Sequence, residues 1–170
     1  ELPKKKFRSA NGLPRQLFLY SVDNSKELYV GAHPVADALK LSSPTDSIPT
    51  IGNEAMLIKF DIEPNGNIEL YNDNNEKLVL TTCNNNIYMN RNASGIICSE
   101  SFAQETWAPL QELCGKNKKY HIELWIDKCS AEMFVDEGKI AMTNLIFPRS
   151  PYNKFKGEGI SNVTFQTISL

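Results

Sequence analysis

Two carboxylates, Asp127 and Glu132, flank a tight corner in Asp127-Lys128-Cys129-Ser130-Ala131-Glu132, and two more, Asp136 and Glu137, follow in the next turn. Carboxyl groups joined by a turn can converge, and a pair held at different pKa values makes an acid beside a base. Neither Asp127 nor Glu132 has sequence neighbours that would separate them in this way, so the stronger reading is structural. An Asp at a strand end accepts hydrogen bonds from the amides of its own turn. The other chemistry open here is recognition of hydroxyl groups, which pairs charged side chains with an aromatic platform. Asp127 and Glu132 would supply the charges, and Trp125, in strand parity with Asp127, the platform. The competing role for Trp125 is packing in the core or at a domain interface. Trp107, ahead of Ala108-Pro109-Leu110, reads as a loop anchor.

Other chemistries find little support. His33 and His121 lack a second ligand at helix or strand spacing, and Cys83, Cys98, Cys114 and Cys129 form no Cys-x-x-Cys pair, so neither a metal nor a cofactor is expected. No glycine-rich loop follows a strand and opens a helix, as a nucleotide cradle requires.

The elements that position these residues read as strands. Tyr120, Ile122, Leu124 and Ile126 alternate with His121, Glu123, Trp125 and Asp127, the period of a strand with one buried face. Ser130 to Val135 is a second strand, Asp136-Glu137-Gly138 a turn whose glycine takes the left-handed position, and Lys139 to Phe147 the return, ended by Pro148. Gln16 to Val22 is expected as the first strand. Met56, Ile58, Phe60 and Ile62 form another alternating run, which Pro64-Asn65-Gly66-Asn67 is expected to reverse into a hairpin with Ile68 to Tyr71. Lys77 to Cys83 and, after the turn residues Asn84-Asn85-Asn86, Ile87 to Arg91 continue a meander, and the final strand lies in Val163 to Leu170. Val35 to Leu41 reads as a short helix after Pro34, and Leu41 to Thr50 as a loop. The pattern predicts an all-β fold with very little helix: an antiparallel two-sheet β-sandwich of jelly-roll or concanavalin-like type.

At 170 residues, with 41% hydrophobic and 22% charged residues and a formal net charge of -2, the chain suits one domain with a substantial core. The balance of charge offers nothing to nucleic acid or to an anionic membrane, and no apolar run is long enough to span a bilayer.

The corner gains meaning from its wider context. Asp127-Lys128-Cys129-Ser130-Ala131-Glu132-Met133-Phe134, followed by Asp136-Glu137-Gly138 and Ile146-Phe147-Pro148, resembles the C-terminal module of glycoside hydrolase family 32, the family of invertases, levanases and inulinases. Phe7-Arg8-Ser9-Ala10 with Leu13-Pro14-Arg15, Pro34-Val35, and Asn90-Arg91-Asn92-Ala93-Ser94-Gly95 fall in the family's order. The resemblance implies residues 1–15 as a connector from a catalytic five-bladed β-propeller and residues 16–170 as the β-sandwich module. Arg8, Pro14, Arg15, Phe147 and Pro148 would then face the propeller. The parent would be a retaining β-fructosidase, bacterial and periplasmic or secreted. The family's Asn-Asp-Pro, Arg-Asp-Pro and Glu-Cys strings, which carry its chemistry, do not occur here. The resemblance therefore implies a noncatalytic module that stabilises the propeller and an oligomer, with a second copy of the chain as a partner. The sandwich is also similar to family 66 levan-binding modules, which keeps open a fructan- or fructose-binding role for Arg91, Asp127, Glu132 and Trp125. Lys128 stands where many members have arginine, exchanging a rigid bidentate donor for a flexible ammonium.

Overall fold

The computed structural model describes residues 12–23, 25–37, 39–49 and 54–169. Along them run β1 (Arg15–Tyr20), β2 (Tyr29–Pro34), β3 (Lys40–Leu41), β4 (Ala55–Tyr71), β5 (Lys77–Cys83), β6 (Asn86–Ala93), β7 (Thr106–Ala108), a short helix α1 (Leu110–Cys114), β8 (Tyr120–Ile126), β9 (Ser130–Val135), a 3-10 turn at Asp136–Gly138, β10 (Ile140–Leu145) and β11 (Lys154–Ser169). β1 and β2 form a sheet of their own, and the other nine strands form one antiparallel sheet.

That sheet is a sandwich because one strand pair belongs to both layers. β4 pairs with β11 along its length, while its other edge meets β8 over Met56–Ile62 and β5 over Asn67–Tyr71. The first layer thus runs β3, the end of β11, the start of β4, β8, β9, β10. The second runs from the start of β11 and the end of β4 to β5, β6 and β7. Residues of both layers, among them Met56, Phe60, Leu70, Leu80, Met89, Leu124 and Met133, share one buried cluster. The expected all-β antiparallel sandwich is the observed fold.

The expected hairpin at Pro64-Asn65-Gly66-Asn67 is a bend instead. The pairings with β8 and β5 stop on either side of residues 63–66, and the ladder with β11 passes from Ile160↔Ile62 to Glu158↔Asn67. Unpaired positions tolerate a proline and an Asn at φ 76° without reversing the strand. Thr82, buried, fixes the corner: its hydroxyl accepts from the Gly66 N–H at 2.9 Å and donates to the Glu63 carbonyl at 2.6 Å. Gly66 crosses Gly159 so closely that a Cβ there would lie 2.9 Å from the Gly159 carbonyl oxygen.

Two further expectations change. No helix forms over the described part of Val35 to Leu41. A single turn closes from the Leu39 N–H to the Ala36 carbonyl at 2.9 Å, and Lys40–Leu41 then pair with β11. So few residues form too short a segment to recover the cost of helix nucleation. The last strand begins at Lys154, well before Val163, because the start of β11 pairs with β4 alone, and an edge strand needs no apolar alternation. The β5–β6 hairpin matches its signal: Asn84 and Asn85, at φ 49° and 64°, make the two-residue turn between Cys83 and Asn86.

Thr82→Val keeps shape and removes both corner hydrogen bonds. We expect a loss of about 1–3 kcal/mol in denaturant unfolding; an unchanged midpoint would show that the bend does not depend on Thr82.

Candidate functional site

The corner after β8 is built by its own amides. The Asp127 N–H donates to the Ser130 carbonyl at 2.9 Å, and the Lys128 N–H donates to Asp127 Oδ1 at 2.7 Å, so the exposed Asp127 carboxylate shapes the turn. Glu132 differs in being only 5% exposed. It lies in β9 on the face away from the main core, where its Oε1 accepts the Leu13 N–H at 2.9 Å. Its Oε2 accepts from the Arg15 guanidinium at 2.9 Å and the Thr143 hydroxyl at 3.3 Å. Arg15 also donates to Thr143 Oγ1 at 2.6 Å and lies over the Phe134 ring at 5.2 Å. Glu132 is therefore the tether of the segment that enters β1. The Pro14 carbonyl, just before it, accepts the Val35 N–H at 2.8 Å.

Trp125 packs beside this tether. With Leu57 and Phe134 it forms a second buried cluster, closed by Leu13, Ala36 and Leu39. Its indole is 6% exposed and its Nε1 has no hydrogen-bond partner among the described residues. A cavity of about 560 Å³ is lined by Trp125, Asp127, Ser130, Glu132 and Pro14 among others, so the fold brings three of the four sugar-binding candidates together. Arg91 is placed elsewhere. Its Nη1 donates to the Leu145 carbonyl at 3.0 Å and its guanidinium stacks on Phe102 at 4.2 Å, where burial lowers its pKa. No described contact joins Arg91 to Trp125, Asp127 or Glu132.

Of the expected interface residues, Arg8 lies outside the described residues, and Pro14 and Arg15 belong to the tether. Phe147 and Pro148 are half-buried in a seam within the chain. Phe147 stacks on Phe102 with centroids 5.5 Å apart, and its carbonyl accepts the Ile96 N–H at 2.9 Å. Gly95, at φ 136°, lies so close that a Cβ would come within 2.0 Å of the Phe147 oxygen.

A different surface stands open. β1 and β2 dock one face on the turn after β9: the Tyr20 hydroxyl donates to the Lys139 carbonyl at 3.0 Å, with burial pushing its pKa up to about 12, and Gly138 lies against the Ala32 backbone. The opposite face carries Leu17 at 68%, Leu19 at 67% and Val30 at 64% exposure, with Leu28 at 67% just before β2. The signal was present in the contiguous apolar run Leu17-Phe18-Leu19-Tyr20, which marks a strand apolar on both faces. Trp107, expected as a loop anchor, is a strand residue of β7 and is 59% exposed. Among the described residues no group of His, Cys, Asp and Glu could hold a metal ion, and no helix is long and apolar enough to cross a membrane.

Comparison with known proteins adds a family match. The model described as "Glycosyl hydrolases family 32 C terminal" matches residues 39–169. Among solved structures, the exo-inulinase from Aspergillus awamori has a TM-score of 0.75 at 17% identity, over 99% of this chain and 37% of its own. The fructofuranosidase from Schwanniomyces occidentalis, complexed with fructose, gives 0.62 at 14% identity, over 94% and 40%. The sucrose-6-phosphate hydrolase from Lactobacillus gasseri gives 0.62 at 19% identity, over 91% and 33%. The chain thus spans about a third to two fifths of these structures, and at such identities the likeness is one of fold. No curated protein matches the sequence.

The chain beyond Phe147 is pinned by a second buried acid. Glu76 accepts from Asn72 Nδ2, the Arg149 N–H and Arg149 Nη1, each at 2.8 Å. Burial opposes its ionisation, yet these donors outweigh it and hold its carboxyl below the ordinary carboxylate range. A depressed folded pKa stabilises the fold above the unfolded value, near 4.3, and that stabilisation is lost as pH falls through the folded pKa. Glu76→Gln should therefore cost about 1–3 kcal/mol at neutral pH, with the gap to the parent narrowing below about pH 4. Denaturant midpoints measured across that range check this, and a gap that stays constant to the acid limit would contradict it.

Proposed function

The chain belongs to the C-terminal family of the family 32 glycosyl hydrolases, and from that premise we propose that it is the noncatalytic β-sandwich module of a fructan- or sucrose-cleaving enzyme. Its role is mechanical: it packs against a preceding five-bladed propeller and fixes its position. The observation that carries this reading is the bare aliphatic face of β1 and β2. Burying a leucine or valine side chain gains roughly 1.5–3 kcal/mol, and a face of four such residues left in water is unusual unless another surface covers it. The hairpin also precedes the family match, which begins at residue 39, and it forms a sheet separate from the sandwich. We therefore assign residues 15–34 to the contact with the propeller, in place of the Phe147-Pro148 exit. Gly138 and Tyr20 hold the hairpin against the sandwich while its other face meets the neighbour.

A retaining glycosidase needs two carboxyl groups about 5 Å apart across the sugar, one as nucleophile and one as proton donor. Glu132 accepts from Leu13, Arg15 and Thr143, and Asp127 accepts from its own turn, so both work as structural acceptors. The same occupancy weakens the rival reading, in which Arg91, Asp127, Glu132 and Trp125 form one fructan site.

The substrate class, β-fructosides, follows from the names of the similar structures and is part of the proposal. The purified chain should release no fructose from sucrose, inulin or levan above a buffer blank, and release by the chain itself would overturn the noncatalytic role. Leu17→Glu with Leu19→Glu should shift the unfolding of the isolated chain by no more than about 0.5 kcal/mol, as for exposed sites. In the full-length enzyme the same pair should lower the unfolding midpoint by several degrees. Equal effects in both proteins would remove the hairpin from the interface, and light scattering of the isolated chain would show whether a second copy covers that face instead.

A further inference from the structure

Trp107 has no part in the interface proposed above, and the strand register shows what surrounds it. It sits in β7 directly opposite Tyr88 of β6; Tyr88 is opposite Thr81 of β5, and Thr81 opposite Asn67 of β4. Residues opposed across an antiparallel ladder point to the same face, so these four form a transverse row, about 14 Å long at the usual strand spacing. The neighbours in sequence, Ile87, Met89 and Ala108, point into the core, which places the row on the outer face of the second layer. Asn86 Nδ2 donates to the Tyr88 hydroxyl at 3.2 Å, and Asn90 lies opposite Val79 in the adjoining row.

The charges on this face are matched among themselves. Glu69 accepts from Lys77 and from Lys156, each at 3.0 Å, Lys154 pairs with Asp73, and Glu158, opposite Asn67 at the end of the row, sets a third carboxylate against the three lysines. What remains is an indole, a phenol, amides and a hydroxyl, with no excess of either sign. A nucleic acid or an anionic surface finds no field to draw it there. An uncharged polyhydroxylated ligand finds an apolar ring on which the C–H side of a sugar can stack, beside amide and hydroxyl groups that donate to and accept from its hydroxyls. Because the row lies across a sheet face, it suits a chain lying along the surface.

We propose that Trp107, Tyr88, Thr81 and Asn67, flanked by Asn86 and Asn90, form a binding platform for a neutral polysaccharide chain. The choice of fructan as that chain rests on the functional reading above. The platform is distinct from the Trp125 corner: it holds polymer on the second layer and takes no part in bond cleavage.

The two tryptophans make the test direct, because Trp125 is buried and Trp107 is 59% exposed. Titration of the intact chain with inulin and levan oligosaccharides should change the tryptophan emission saturably and at least halve acrylamide quenching, with dextran as control. Trp107→Ala and Tyr88→Ala should each weaken binding, read by calorimetry, about tenfold, the scale of one lost stacking partner. Both variants should keep the parent's unfolding midpoint. No response at millimolar fructan overturns the platform, as does binding that survives Trp107→Ala. An equal response to dextran overturns the fructan assignment. If Trp107 in the full-length enzyme is already shielded from acrylamide without sugar, the face belongs to a protein contact and the platform is likewise overturned. None of these results depends on hydrolysis, so the platform and the noncatalytic reading fail separately.

Discussion

The sandwich depends on β4 and β11 bending together. A single strand that serves both layers couples them covalently, and the bend preserves parity: Met56, Ile58, Phe60 and Ile62 point inward before it, Ile68 and Leu70 after it. Ile68 follows Ile62 by six positions, an even step, so the inward face stays inward; an odd step would turn one layer inside out. The corner can be sharp because its polar groups are satisfied locally by Thr82 and because Gly66 and Gly159 let the two backbones cross closely. Everything hung on the two layers, from the Trp125 cluster to the Trp107 row, takes its orientation from that bend.

Among the described residues both buried acids are used as tethers. Glu132 joins the segment before β1 to the first layer, and Glu76 joins the segment after β10 to the turn before β5. In each case the carboxylate accepts from a backbone N–H and an arginine together, satisfying a charge that would be costly to bury alone. A carboxylate committed to such donors is poorly placed to give or take a proton during a reaction. Structural acids of this kind hold connections between elements, and here they hold the segment that enters β1 and the one that leads from β10 into β11.

Much of the fold could be read from local chemistry, and its failures have a common cause. Asn84-Asn85 announced its hairpin because two left-handed residues in a row suit a two-residue turn. Tyr120 to Ile126 announced a half-buried strand by period alone. Pro64 to Asn67 misled because the same residues serve a reversal and a bend, and only the partner strands decide between them. The start of β11 was hidden since an edge strand carries Lys, Gly and Glu where an interior one would alternate. At the candidate site, the closeness of Trp125, Asp127 and Glu132 was legible from one hairpin. The separation of Arg91 and the partners of Glu132 were not, since Leu13 and Arg15 lie more than a hundred residues away in sequence. Trp107 needed its register with Tyr88 before its face could be assigned.

Two open surfaces remain, and their chemistry differs. The β1–β2 face is aliphatic, with nothing at its centre to hydrogen-bond, so it gains from exclusion of water and suits another protein surface that stays in place. The Trp107 row mixes aromatic rings with amides and a hydroxyl, which remain comfortable in water and can exchange ligands. They also belong to different layers: the hairpin leans on the turn after β9 in the first, while the row lies on the outer face of the second. A module arranged in this way can be fixed to its neighbour through one side while the other stays in solvent. The proposed propeller contact and the proposed sugar platform then do not compete for the same residues.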